Sequence, residues 1–203
     1  MSGASSPPPK PPSADDDAFK RELVALIPHL RAFARTLTGD PTAADDLAQD
    51  AMMKAWDARA SYQMGTNMKA WTFMILRNQF YSEKRRSWRQ TQLDQEAAER
   101  TLVAVDDPES PVALDELRLA LATLPEEQRE ALILVGAGGF AYEEAAAICQ
   151  CAVGTVKSRV SRARKALQAT LEKGGYARDG RAAGDAMRSI LAAADRLSSV
   201  RQG

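Results

Sequence analysis

The chain is poor in the side chains that build enzyme and metal sites, with one histidine and two cysteines among 203 residues. His29 lies far in sequence from Cys149 and Cys151, and no second Cys or His pair completes a zinc site. Packing of two small residues in a tight turn accounts for the C-x-C pair, and such sparse cysteine use fits a reducing cytoplasm. No nucleophile–base constellation is visible, so neither catalysis, a metal nor a cofactor is expected. The glycine run GAGG at 136–139 lacks the following Lys-Ser/Thr of a phosphate-binding loop. No apolar run approaches the roughly 20 residues of a membrane helix, and the Pro/Ser-rich start has no signal-peptide core. No strand candidate or internal repeat is found.

Net charge is also lacking, at zero, which on its face argues against a nucleic-acid partner. The average hides a segregation. Residues 69–90 hold six Lys/Arg against one Glu, and 153–173 again hold six against one. Between them, 92–130 carry eleven Asp/Glu and three Arg. Two basic blocks around an acidic one fit two phosphate-facing surfaces with a non-DNA segment between them.

The apolar residues fall at helical spacing throughout. Residues 1–17, with PPPKPP and DDD, have little to bury and are expected to be disordered. A helix starts near Asp17, capped by it, and runs to about Leu37, kinked or split by Pro28. Gly39-Asp40-Pro41 stops it and starts the next helix. There Leu47, Ala48, Ala51, Met52, Ala55 and Trp56 form the inner side, leaving Asp46, Gln49, Asp50 and Lys54 outside. Residues 61–67 are a polar loop. A long helix follows from about Met68 to Trp88, in which aromatics alternate with cations as single-stranded nucleic acid requires. Burial in a core explains Trp71 and Phe80 equally well. The segment 89–111 reads as an acidic linker. The second helical unit, 112–173, begins with the stripe Leu114, Leu117, Leu121 and Leu124, and a helix from Glu126 to Val135 follows. Beyond it, 174–203 form an extension with one amphipathic segment.

The most informative stretch is 153–167, VGTVKSRVSRARKAL. Val153, Val156, Val160, Ala163 and Leu167 make one apolar stripe, while Ser158, Ser161, Arg162 and Lys165 point away. A small alanine-rich helix at 142–148 and a tight connection precede it, giving a helix-turn-helix. A surface helix with a solvated basic face is the plain alternative.

With both units in view, the sequence resembles a bacterial sigma factor of the extracytoplasmic-function (ECF) class of the sigma-70 family. ADDLAQDAMMKAW (44–56) and KAWTFMILRNQFYSEKRR (69–86) carry the likeness to the family's second region. LATLPEEQREALIL (121–134), YEEAAAI (142–148) and GTVKSRVSRARKAL (154–167) carry it for the fourth. Segments such as GFAYEEAAAI look closest to the alphaproteobacterial general-stress, or EcfG, type. The resemblance implies an all-α fold of two small helical domains, at 18–88 and 112–173.

It also implies roles. Asp46, Gln49 and Asp50 match the helix that docks on the β′ clamp coiled coil of core RNA polymerase, and the β subunit is the other part of core expected to be bound. Tyr62, Gln63, Thr66 and Asn67 lie in the loop that receives a base flipped from the −10 element, where polar groups and a stacking wall are needed. Trp71, Arg77, Asn78, Tyr81, Lys84 and Arg85 would hold the melted strand and nearby phosphates. In the recognition helix, Arg162 is the candidate reader of a −35 guanine, Ser158 and Ser161 allow close approach, and Thr155 is a further expected DNA-binding residue. Lys157, Arg159 and Arg164 would bind phosphates. A NepR-like anti-sigma protein, released by a PhyR-like regulator, is the expected inhibitor, and the cytoplasm the expected compartment. A stand-alone helix-turn-helix regulator is the alternative, although 18–88 lack the alternating strands of a receiver domain. A mere protein-binding mimic of a sigma factor has no need of outward Lys and Arg.

Overall fold

The computed structural model describes residues 14–93 and 120–172. In chain order these form α1 (Ala14–Ala25), α2 (Ile27–Thr38), α3 (Pro41–Asp57), a single 3₁₀ turn (Arg59–Ser61) and α4 (Met68–Leu93). After a short helical segment at 120–122 come α5 (Glu126–Gly136), α6 (Tyr142–Cys149) and α7 (Val153–Glu172). Among the described residues there is no strand, as the periodicity requires.

Local chemistry sets the boundaries. Pro28 splits the first run rather than bending it: the chain breaks at Leu26, and α2 takes the proline in its first turn, where no amide partner is needed. Gly39 closes α2 in the left-handed region at φ 73°, its N–H returning to the Arg35 carbonyl. Asp40 then caps α3, accepting from the Ala43 N–H at 2.7 Å, and Pro41 follows at the helix start.

Two expected boundaries are corrected. The helix begins at Ala14, so residues 14–17 are ordered; Asp15, Asp16 and Asp17 sit in its first turn, where carboxylates suit the positive end of the dipole. Likewise, α4 continues through Leu93 instead of ending at Trp88. Residues 88–93 contain neither Gly nor Pro, so nothing local stops the helix there. The remainder of the expected linker, Leu114 and Leu117, residues 1–13 and the extension beyond 172 lie outside the described residues.

The two halves, 14–93 and 120–172, share one core. Leu30, Phe33 and Leu37 of α2, Leu47 and Ala51 of α3, and Phe73 and Leu76 of α4 join Leu132, Val135, Phe140, Ile148, Val156, Val160 and Leu167 in a single buried cluster. At its centre Phe73 stacks on Phe33, centroids 4.8 Å apart, and meets the edge of Phe140 at 5.0 Å. A smaller cluster beneath α1 gathers Phe19, Leu23, Ala55, Tyr62 and Met68.

Candidate nucleic-acid interface

The helix-turn-helix forms as the pattern requires. Gln150 ends α6 in the left-handed conformation, φ 53°, and the Cys151 N–H closes onto the Ala146 carbonyl at 3.1 Å, so α7 starts within three residues. Val156, Val160, Ala163 and Leu167 are buried and Val153 is half-buried. Lys157, Ser161, Arg162 and Lys165 are exposed on the far side. Thr155, Ser158, Arg159 and Arg164 flank them, half-buried. Arg162 reaches back to the Ser158 hydroxyl at 3.3 Å, and Lys157 leans over the Tyr142 ring. Arg159 is held differently: it pairs with Glu127 of α5 and lies 3.7 Å from the Cys151 sulfur. Both thiols are free, and burial, with the nearby Glu130 charge, pushes Cys149 up to about 12.

On α3, Asp46, Gln49 and Asp50 are exposed along one face beside the exposed Met53, while Leu47, Ala48 and Ala51 pack inward. The expected carboxylate and amide surface is therefore present.

The third set divides. Gln63, Thr66, Asn78 and Arg85 are exposed. Tyr62 instead turns inward: its ring lies 5.6 Å from Phe19 and 5.1 Å from Trp71, and its hydroxyl donates to the Thr66 carbonyl at 2.7 Å, bracing the loop from within. Trp71 is half-buried in the same cluster. Asn67 caps α4, accepting from the Ala70 N–H at 3.0 Å, while its amide donates to Glu144 at 2.7 Å. Glu144 also accepts from the Ala141 N–H at 2.9 Å, so one carboxylate links the first turns of α4 and α6.

Further along α4, Arg77, Tyr81 and Lys84 face α5. Arg77 Nε lies 2.6 Å from Glu130 Oε1, with side chains 13% and 0% exposed. The Tyr81 hydroxyl donates to the same carboxylate at 3.3 Å, and Lys84 pairs with Glu126. Burial pushes the Glu130 carboxyl above its ordinary range, while Arg77 and Tyr81 pull it back. Burial would lower Arg77, but the charge and hydrogen bond of Glu130 outweigh it and hold the guanidinium protonated. Tyr81 is raised by burial first and by the Glu130 and Glu126 charges next. At the start of α4, Lys69 donates to the Gly138 carbonyl at 2.8 Å, with its ammonium over the Phe140 and Phe73 rings; burial lowers its pKa against the pull of Glu144. Glu126, Glu130, Glu144 and Lys69 were not singled out in the sequence.

Both halves of the chain match known families. The family model for Sigma-70 region 2 matches residues 23–90, and that for Sigma-70, region 4 matches 114–167. The chain is 47% identical over 155 residues, 76% of its length and 86% of the relative's, to the ECF RNA polymerase sigma factor EcfG of Rhodopseudomonas palustris. It belongs to the ECF class of sigma-70 family sigma factors. Within that class it is of the EcfG type. The sigma factor RpoE of Bartonella quintana, solved in complex with the anti-sigma factor NepR, is 47% identical, covers 77% of this chain with 98% of its own, and superposes with a TM-score of 0.69. CnrH, solved with the cytosolic domain of CnrY, is 26% identical with a TM-score of 0.56 over 79% of this chain and 91% of its own. Region 2 in front of the helix-turn-helix displaces the stand-alone regulator reading. Among the described residues no helix is long and apolar enough to cross a membrane, and no His, Cys, Asp and Glu cluster could hold a metal ion.

Proposed function

We propose that this sigma factor confers promoter specificity on core RNA polymerase through three surfaces. Asp46, Gln49 and Asp50 present paired acceptors for arginine side chains of the β′ coiled coil. The outward face of α7 enters the −35 major groove, with Arg162 reading a base and Lys157 contacting phosphates. Loop 61–67 and α4 hold the melted −10 strand, and opening follows from tighter binding to the single strand than to the duplex. The protein acts by binding and carries out no chemistry of its own. Its place is the cytoplasm, with polymerase on the nucleoid.

The observation that carries this reading is the division of α7 into a buried apolar stripe and an exposed Lys/Ser/Arg face, in a chain that also holds region 2. Its inhibitor is a NepR-like anti-sigma protein and its setting the general stress response; the 47% identity to the NepR-bound sigma factor supports both. Permanganate probing of a cognate promoter tests the mechanism. Core enzyme plus this protein makes −10 thymines reactive, whereas core alone does not. Unreactive thymines on every template to which the holoenzyme binds would contradict it.

A further inference from the structure

The three tryptophans of the chain sit in different surroundings. Trp56 lies beside Phe19, with the Arg59 guanidinium 4.6 Å from its ring centre. Trp71 packs on Tyr62 at 5.1 Å. Trp88, near the end of α4, is 63% exposed, more than any other large apolar side chain among the described residues. Around it stand Arg85, Arg86 and Arg89, all exposed, in a stretch (84–93, KRRSWRQTQL) without a carboxylate. The helix dipole acts within the last turn, where α4 carries no cation, so it explains neither these arginines nor an indole held in water among them.

Position along α4 narrows the partner. Asn78, Ser82, Arg85 and Arg89 follow at steps of four, three and four, so the cations prolong the outward line that begins with the exposed Asn78. Trp88 flanks that line, one turn past Lys84, and α5 leaves it uncovered. It stands ten residues beyond Asn78. That is about 15 Å of helix, or about four to five stacked base pairs. Loop 61–67 lies at the opposite end of α4, so these last turns point away from the flipped base and toward DNA that is still paired.

We propose that the last turns of α4 are a duplex anchor. Arg85, Arg86 and Arg89 bind phosphates of the paired DNA on the −35 side of the −10 element, and the Trp88 indole covers the sugar edge beside them. The inference rests on the assignment of α4 to the −10 element. Charge and continuity both choose DNA: three cations without a carboxylate meet a polyanion, on the same helix and in line with Asn78. Each phosphate contact releases counterions, while the indole removes apolar sugar carbons from water. The anchor therefore adds affinity and fixes register without reading bases.

The test uses holoenzyme, the full chain on core polymerase, with two DNA fragments that share a single-stranded −10 segment. One carries about ten base pairs, a single helical turn, on its −35 side, and the other carries none. The variants are Trp88→Ala, Trp88→Phe and Arg86→Ala/Arg89→Ala, all at exposed positions, with helix content checked by circular dichroism. Trp88→Ala is expected to lose about fivefold or more on the flanked fragment, and Trp88→Phe to restore most of that. Arg86→Ala/Arg89→Ala is expected to reduce the slope of log affinity against log salt by about two on the same fragment. The unflanked fragment and retention on core are expected to be unaffected. Equal losses on both fragments place the patch on the single strand and overturn the anchor. Weaker retention on core marks a polymerase contact and overturns it too. Parent affinity and salt slope in every variant overturn the anchor and leave the α4 assignment standing. Parent holoenzyme that fails to bind the unflanked strand overturns that assignment, and the anchor with it.

Discussion

Phe73 of α4 and Phe140, from the turn before α6, meet edge to face at 5.0 Å across the line that divides the two halves. Both rings are nearly solvent-free, at 3% and 2% exposure, and Phe33 stacks on Phe73. The halves are thus parts of one core in this form.

Phe140→Ala is expected to cost about 3–5 kcal/mol, the usual loss for a large ring removed from a packed interior. Because the ring belongs to both halves, the loss also uncouples them. Urea unfolding followed by circular dichroism should give one transition for the parent chain and two for the variant. A single transition with an unshifted midpoint in Phe140→Ala would show that the ring does not couple the halves.

The thiols offer a readout of the helix-turn-helix. Cys149 is buried with its pKa pushed up to about 12, while Cys151 is partly exposed. The thiolate is the reactive form, so at pH 8 only Cys151 should react quickly with a thiol reagent in folded protein, and both should react in denaturant. The sign for stability follows. The unfolded thiol ionises near pH 8.5 and the folded one does not, so this group's contribution weakens as pH rises above about 8.5. Fast labelling of two thiols in native protein would show that the turn is open.

Asp46→Arg with Asp50→Arg should abolish retention of the protein by immobilised core polymerase, with far-ultraviolet dichroism unchanged. The physical reason is that both side chains are exposed and reversal turns attraction to arginines into repulsion. Undiminished retention would move the polymerase contact elsewhere.

Arg162 and Arg159, three residues apart, should behave differently. Arg162→Ala is expected to cost about 1–3 kcal/mol on the cognate −35 sequence and little on sequences altered at the base it reads. Arg159 pairs with the exposed Glu127 of α5, so Arg159→Ala should weaken all sequences alike and move the unfolding midpoint little. A uniform loss in Arg162→Ala would make it a phosphate contact.

Much of this was legible without coordinates, because short helices leave a strong periodic trace. The stripe Val156, Val160, Ala163, Leu167 and the wet face Asp46, Gln49, Asp50 stand where the spacing puts them. So does the stop at Gly39-Asp40-Pro41, whose cap chemistry is local. What could not be read was every contact made across a long stretch of chain. The pairing of Arg77 with Glu130 spans 53 residues, and nothing in either helix announces it. Tyr62 shows the same limit: a tyrosine in a polar loop reads as a surface ring, and the arrival of Phe19 from a helix 43 residues upstream, with Trp71 from the helix that follows, buries it.

Region 2 and the α7 helix act together as one promoter-recognising subunit. Run-off transcription with purified core enzyme on a library of promoters tests it most directly. Transcripts are expected from templates sharing a particular −35 and −10 pair at fixed spacing, lost when either element is scrambled and lost with core alone. No transcript above the core-alone background from any template, by a protein shown to be folded, would contradict it.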